Sequence, residues 1–142
     1  MEDPTTSPVI AVSIDVNFPS AEIFGVKLVN GKPTEAILSF SNDEPEPITI
    51  NFAGGSLWTP DFDPAGSRLI RNLTTVRYGV EVPARAKESV PYTITTDMHP
   101  QDLRLNIAAV ISDHKNAFYT VQAYNSTVSV VEPDTSIFDP QM

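Results

Sequence analysis

AFYTVQAYNSTVSVVE, Ala117 to Glu132, reads as one long strand whose inward face changes parity in mid-run. Tyr119, Val121 and Ala123 alternate with polar residues, as a half-buried strand requires. Later in the run it is Val128 and Val130 that hold the apolar parity. A strand that keeps one face on a core through such a flip needs one extra residue, so the spacing predicts a β-bulge near Tyr124-Asn125. That register turns Asn125 toward solvent. Asn125-Ser126-Thr127 is also a sequon for N-linked glycans, a motif with a use only in the secretory pathway.

The same period of two recurs upstream. Ile10, Val12, Ile14, Val16 and Phe18 share one parity, with Ser13, Asp15 and Asn17 opposite. Gly25 to Val29 is a weaker strand, closed by the turn signal Asn30-Gly31. Ala36, Leu38 and Phe40 alternate next, followed by a loop at Asn42 to Pro47, where prolines and like charges disfavour a ladder. Ile48, Ile50 and Phe52 form a further face, and Gly54-Gly55 is expected to end it. Leu57 to Gly66 has no clear period and is expected to be irregular. Arg68 to Asn72 can pair briefly. Val76, Tyr78, Val80 and Val82 alternate, as do Val90, Tyr92 and Ile94. Leu103, Leu105, Ile107, Ala109 and Ile111 give the longest regular alternation, and Asp113 to Asn116 forms the hairpin loop into the opening run. No amphipathic helix pattern of useful length occurs.

Eight or nine short strands with proline and glycine turns predict an all-β, immunoglobulin-like two-sheet antiparallel β-sandwich. The organisation read from the chain is a loose acidic tail at 1–8, the sandwich at 9–132 and an extended tail at 133–142. At 142 residues the chain is one domain, large enough to bury a core without metal or disulfide. Cysteine is absent, which weighs against an extracellular site without excluding it. The net charge of −9, from 18 acidic and nine basic residues, would repel a phosphate backbone, so no nucleic-acid partner is expected. No run approaches the ~20 apolar residues of a membrane helix.

Catalytic equipment is not found. His99 and His114 fall in polar connections. Asp61/Asp63 and Asp43, Glu44 and Glu46 are loop neighbours, and acid-base work needs two carboxyls in one cleft. Calcium at Asp61/Asp63 lacks EF-hand spacing, and Gly54-Gly55-Ser56 is not a phosphate loop. No metal or cofactor is expected. Two sequons are present, Asn72-Leu73-Thr74 and Asn125-Ser126-Thr127. Eight asparagines and 25 Ser and Thr in 142 residues would give about 1.4 by chance, so the placement counts and not the number. Asn72 precedes a turn into a strand, and Asn125 faces outward at the expected bulge. Trp58 and Phe62, in the irregular segment, either cap the end of the core or anchor a partner surface.

The order of these features resembles the lumenal domain of the alpha subunit of the translocon-associated protein complex, the signal sequence receptor alpha family, and the chain looks like a distant, fungal-type member. Phe18-Pro19 leads into an apolar strand. Ala36-Ile37-Leu38-Ser39-Phe40-Ser41-Asn42 resembles the family's strand ending in a polar Phe-Thr-Asn type turn. Ile70-Arg71-Asn72-Leu73-Thr74 is similar to its first glycan site, Asn-Phe-Thr. Val80 to Pro83, then Glu88 to Ile94, resemble the strand and proline turn that follow, and Leu105-Asn106-Ile107 opens the penultimate strand. Tyr124-Asn125-Ser126-Thr127-Val128-Ser129-Val130-Val131-Glu132 is the most specific match, to Phe-Asn-Gln-Thr-Val-Thr-Val-Ile-Glu. Asp134 to Phe138 echoes an acidic-Thr-Ile-Phe stretch before the membrane.

The resemblance covers roughly Ile10 to Phe138. It implies a non-enzymatic accessory subunit at the endoplasmic reticulum translocation channel, with the domain in the lumen. It also implies a signal peptide upstream and one membrane helix downstream, through which alone the chain would meet the membrane. The implied partners are the lumenal domain of the sister beta subunit, the channel itself and nascent chains. Contacts are expected at edge strands and at Leu57, Trp58 and Phe62, with glycans at Asn72 and Asn125. Calcium binding by the family's long acidic amino-terminal region is not implied here, where only Glu2-Asp3 remain of it. The alternative reading is a secreted or cell-surface immunoglobulin-like adhesion or carbohydrate-binding module.

Overall fold

The computed structural model describes residues 10–19, 25–60 and 66–133. Nine strands occur among them, in the order β1 (Val12–Asn17), β2 (Lys27–Val29), β3 (Thr34–Asn42), β4 (Ile48–Trp58), β5 (Leu69–Asn72), β6 (Val76–Val82), β7 (Lys87–Ile94), β8 (Gln101–Ser112) and β9 (Phe118–Val131). They form two sheets. One is three-stranded, β1-β3-β7, and antiparallel throughout. The other is six-stranded, β2-β9-β8-β4, with β5 and β6 sharing the far edge of β4. The short β2 runs parallel to the end of β9, Leu28 opposite Val130. This is the expected all-β, immunoglobulin-like sandwich. The expected tails at 1–8 and 133–142 fall, but for Pro133, outside the described residues, as do Asp61, Phe62 and Asp63.

The alternations quoted above become the two inner faces. Ala36, Leu38, Phe40, Val90, Tyr92 and Ile94 of the smaller sheet bury against Ile48, Ile50, Leu57, Leu103, Leu105, Ile107, Ile111, Val128 and Val130 of the larger one. Each Val, Leu, Ile or Phe side chain among them, fully removed from water, contributes about 1.5–3 kcal/mol. Buried asparagines fix both ends of the sandwich. At the last residue of β3, Asn42 donates through Nδ2 to the carbonyls of Glu46, Val82 and Pro83, and accepts from the Glu44 amide. After β2, Asn30 donates through Nδ2 to the Met98 carbonyl at 2.6 Å and accepts from the Met98 amide at 3.2 Å.

Two expectations are corrected by β4. Gly54-Gly55 does not end the strand, which continues to Trp58. Leu57 and Trp58 are therefore strand residues, not part of an irregular segment, and Leu57 faces the core with no exposed surface. Glycine weakens a strand but also marks a place where something approaches closely. A Cβ at Gly55 would lie 3.0 Å from Leu73 Cδ1 and 3.1 Å from the Tyr92 hydroxyl, and one at Gly54 would lie 3.1 Å from Thr75 Oγ1. The link between β5 and β6 crosses here, and the glycines make room for it.

That crossing ties the sheets together along one side. The Tyr92 hydroxyl of β7 donates to the Thr74 carbonyl at 2.6 Å, and the Tyr78 hydroxyl of β6 donates to the Pro91 carbonyl at 2.6 Å. β7 is the outer strand of its sheet. Pro91 supplies it no amide, and its carbonyl is already taken, so this edge offers little to a foreign strand.

Two expected outcomes test this closure. Gly55→Val should lower stability by about 1–3 kcal/mol in urea unfolding, because its methyls must displace Leu73 and the Tyr92 hydroxyl. Burial pushes the Tyr92 hydroxyl up to about 12, the charge of Tyr78 adds to the rise and a backbone hydrogen bond at Gly55 opposes it. A raised value means that the neutral form is favoured in the fold. Its contribution is whole below about pH 10, the ordinary tyrosine value, and is lost as pH climbs to about 12. Circular dichroism against pH should show stability falling in that window, and Tyr92→Phe should flatten the fall.

Candidate functional site

The bulge in β9 lies one residue earlier than the sequence suggested. Ile107 opposes Tyr124 and Ala108 opposes Gln122, so Ala123 is the extra residue. Tyr124 thereby turns inward and meets Phe18 edge-on, ring centroids 5.1 Å apart. From there Val128 and Val130 stay on the core side and Asn125 turns outward. A second bulge, at Asn51 in β4, resets the parity between Ile50 and Ala53 in the same way, so Phe52, expected on the inner face with Ile48 and Ile50, is corrected to the outer one and Ala53 takes the core side.

Directly opposed residues on neighbouring strands point to the same face. Asn72 opposes Ser56, Ser56 opposes Asn106 and Asn106 opposes Asn125. Both sequon asparagines therefore stand on one row across the outer face of the six-stranded sheet, and both are exposed. Three strand spacings separate them, roughly 14 Å. The next row runs from Leu69 through Trp58 and Arg104 to Thr127. Polar contacts stitch the two rows. Trp58 Nε1 donates to Ser56 Oγ at 2.8 Å, and Arg104 Nε donates to Asn125 Oδ1 at 2.5 Å. The Arg104 bond engages the amide oxygen of the exposed Asn125 and not its nitrogen, the atom a glycan takes.

Farther along the same face lies an apolar patch. Phe118 is 68% exposed at the start of β9. With Phe52, Val110, Asn51, Arg77 and Gly79 it lines an open hollow of about 500 Å³. The sequence reading missed this patch: the parity that turns Tyr119 inward turns Phe118 outward, but its companions Phe52 and Val110 come from β4 and β8, whose places beside it depend on strand pairing. On β5 the strand is exposed along its whole length, and Leu69 and Ile70 present apolar surface at that edge.

Of the contact residues expected from sequence, Leu57 is inside the core, Trp58 is half-buried on the outer face and Phe62 lies outside the described residues. His99 and His114 are exposed. Among the described residues no group of three or more His, Asp or Glu side chains converges as a metal site. Asp113 is held below the usual carboxylate range, first by the Ala117 amide and then by the Lys115 amide and the Tyr119 hydroxyl. These bonds close the β8–β9 hairpin, a structural use of the carboxylate.

A family model for the translocon-associated protein (TRAP), alpha subunit, matches residues 17–142. No curated protein matches the sequence. Among solved structures, the chain is similar to the ASH/PapD-like domain 7 of human CEP192 at 13% identity and TM-score 0.50, over 96% of this chain and 95% of that one. It is similar to the C-terminal domain of Wzt at 11% identity and TM-score 0.54, over 84% and 71%. It is similar to the sporulation control protein Spo0M of Bacillus subtilis at 8% identity and TM-score 0.52, over 87% of this chain but only half of that one. At such identities these likenesses speak for the sandwich fold alone.

Phe118→Ser tests the account of the patch. A side chain this exposed should shift the urea midpoint by less than about 0.5 kcal/mol of stability. A larger loss would mean that Phe118 packs into the fold and is not free for a partner.

Proposed function

The chain belongs to the alpha-subunit family of the translocon-associated protein, and from that premise we propose that it works without catalysis, as the lumenal domain of an accessory subunit at the endoplasmic reticulum protein-translocation channel. There it assists secretory and membrane proteins to cross or insert, through protein–protein contacts. The observation that carries the reading is the match of the family model over residues 17–142, which includes both sequons and every strand but most of β1. The outer face supports it. Two exposed acceptor asparagines on one row suit a domain folded in the lumen, where a lipid diphosphate-linked oligosaccharide is available. In that transfer the asparagine Nδ2 bonds to the sugar's anomeric carbon, the carbon–oxygen bond to diphosphate breaks and one amide proton leaves.

The partners of this reading are the lumenal domain of the sister beta subunit, the channel and passing nascent chains. The glycans crowd the Asn72–Asn125 end of the outer face. The hollow at Phe52, Val110 and Phe118, toward its other end, is the apolar opening left for contact. Rigid rings there can anchor an interface.

The test is recovery from detergent-solubilised endoplasmic reticulum membranes of cells making the tagged full-length protein. The reading expects channel and sister subunits to co-purify, and Phe118→Ser to reduce the sister subunit at least several-fold with no loss of folded protein. Recovery of the tagged protein without any channel subunit would overturn it. In the same preparation, digestion with a glycosidase should lower the mass, and no change of mass would remove the lumenal placement.

A further inference from the structure

A tryptophan on the solvent side of a sheet needs an explanation, and Trp58 is the only one in the chain. It is half-buried, on the outer face of β4, in the row next to the sequon row. Its Nε1–H points back along the strand to Ser56 Oγ at 2.8 Å, and Ser56 directly opposes Asn72. The bond turns the indole toward the row that carries Asn72, Ser56 and Asn106, and Trp58 lies diagonal to Asn72 across the register shift between Leu57 and Trp58, a separation of about 7–8 Å between backbones. Asn125 lies two strands away from Trp58 and is engaged by Arg104 instead.

Resting on the glycosylation proposed above, we propose that Trp58 is the seat of the first N-acetylglucosamine of the glycan at Asn72. A pyranose presents a face of C–H groups that is apolar and weakly electropositive, and this face matches the negative face of an indole. Held by Ser56, the ring is already fixed, so stacking costs little ordering. The linked sugar cannot diffuse away, which raises its effective concentration at the ring. Nothing in the row gives Asn125 such a partner. The two glycans therefore differ: one lies down on the sheet and covers the indole, while the other projects from it.

The single tryptophan makes the test direct. The full chain is made in a eukaryotic secretory pathway, site occupancy is read by mass, and indole emission and acrylamide quenching are measured on native protein. Trimming with endoglycosidase H leaves one N-acetylglucosamine and should leave quenching at the value of the intact glycoprotein. Asn72→Gln should raise the quenching constant about twofold and shift emission to the red, whereas Asn125→Gln should do neither. Unaltered quenching in folded Asn72→Gln protein, when the parent is occupied at Asn72, overturns the seat and leaves glycosylation standing. A parent chain unoccupied at Asn72 overturns both.

Discussion

One inserted residue, Ala123, sets the larger sheet. β9 pairs with β8 over its full length and with β2 at its end, so its register passes to every strand beyond. Without the insertion, the parity that puts Tyr119 and Val121 against the core would put Asn125, Thr127 and Ser129 there as well. Burying three uncompensated polar side chains costs several kcal/mol. With it, Tyr124, Val128 and Val130 take the inner side, and Asn125 joins Asn106, Ser56 and Asn72 on the outer one.

The opposite side of the sandwich obeys a different constraint. There the β5–β6 link crosses β4 so closely that Gly54 and Gly55 cannot carry a side chain without displacing Thr75, Leu73 or Tyr92. The same crossing brings the Thr74 carbonyl to the Tyr92 hydroxyl and leaves Asn72 exposed at the strand's end. A local need for space thus places a candidate modification site. The edges follow the same logic: Pro91 and the Tyr78 hydroxyl blunt β7, while β5 stays open, with Leu69 and Ile70 exposed.

Much of this was written in the sequence as alternation. The faces of β1, β3, β7 and β8 follow from period two, and the parity flip between Ala123 and Val128 revealed a bulge to within two residues. The continuation of β4 was hidden, because glycine's low strand propensity and its role at a close approach look alike until the approaching residues, Leu73 and Tyr92, are known. For the same reason Leu57 looked like a loop residue when it is core. The shared row of Asn72 and Asn125 was illegible in principle, since it depends on which strands pair across more than fifty residues of chain. The patch at Phe118 was missed on similar grounds: its outward parity follows from Tyr119, but Phe52 and Val110 join it only through the pairing of β4, β8 and β9.

Fold and family meet on that outer face. Both exposed sequon asparagines and the hollow at Phe118 lie on that one sheet, an arrangement that fits the contact role proposed above. The account stands on the β8–β9 register, and the absence of native cysteine lets an engineered pair report it. Directly opposed strand residues lie about 4.5–5.5 Å apart at Cα, within disulfide range. With Asn106→Cys and Asn125→Cys, oxidation of the folded protein should give a rapid, near-complete intramolecular disulfide. Absence of that bond, with ready bridging of Asn106→Cys to Tyr124→Cys instead, would contradict the register and the outward row built on it.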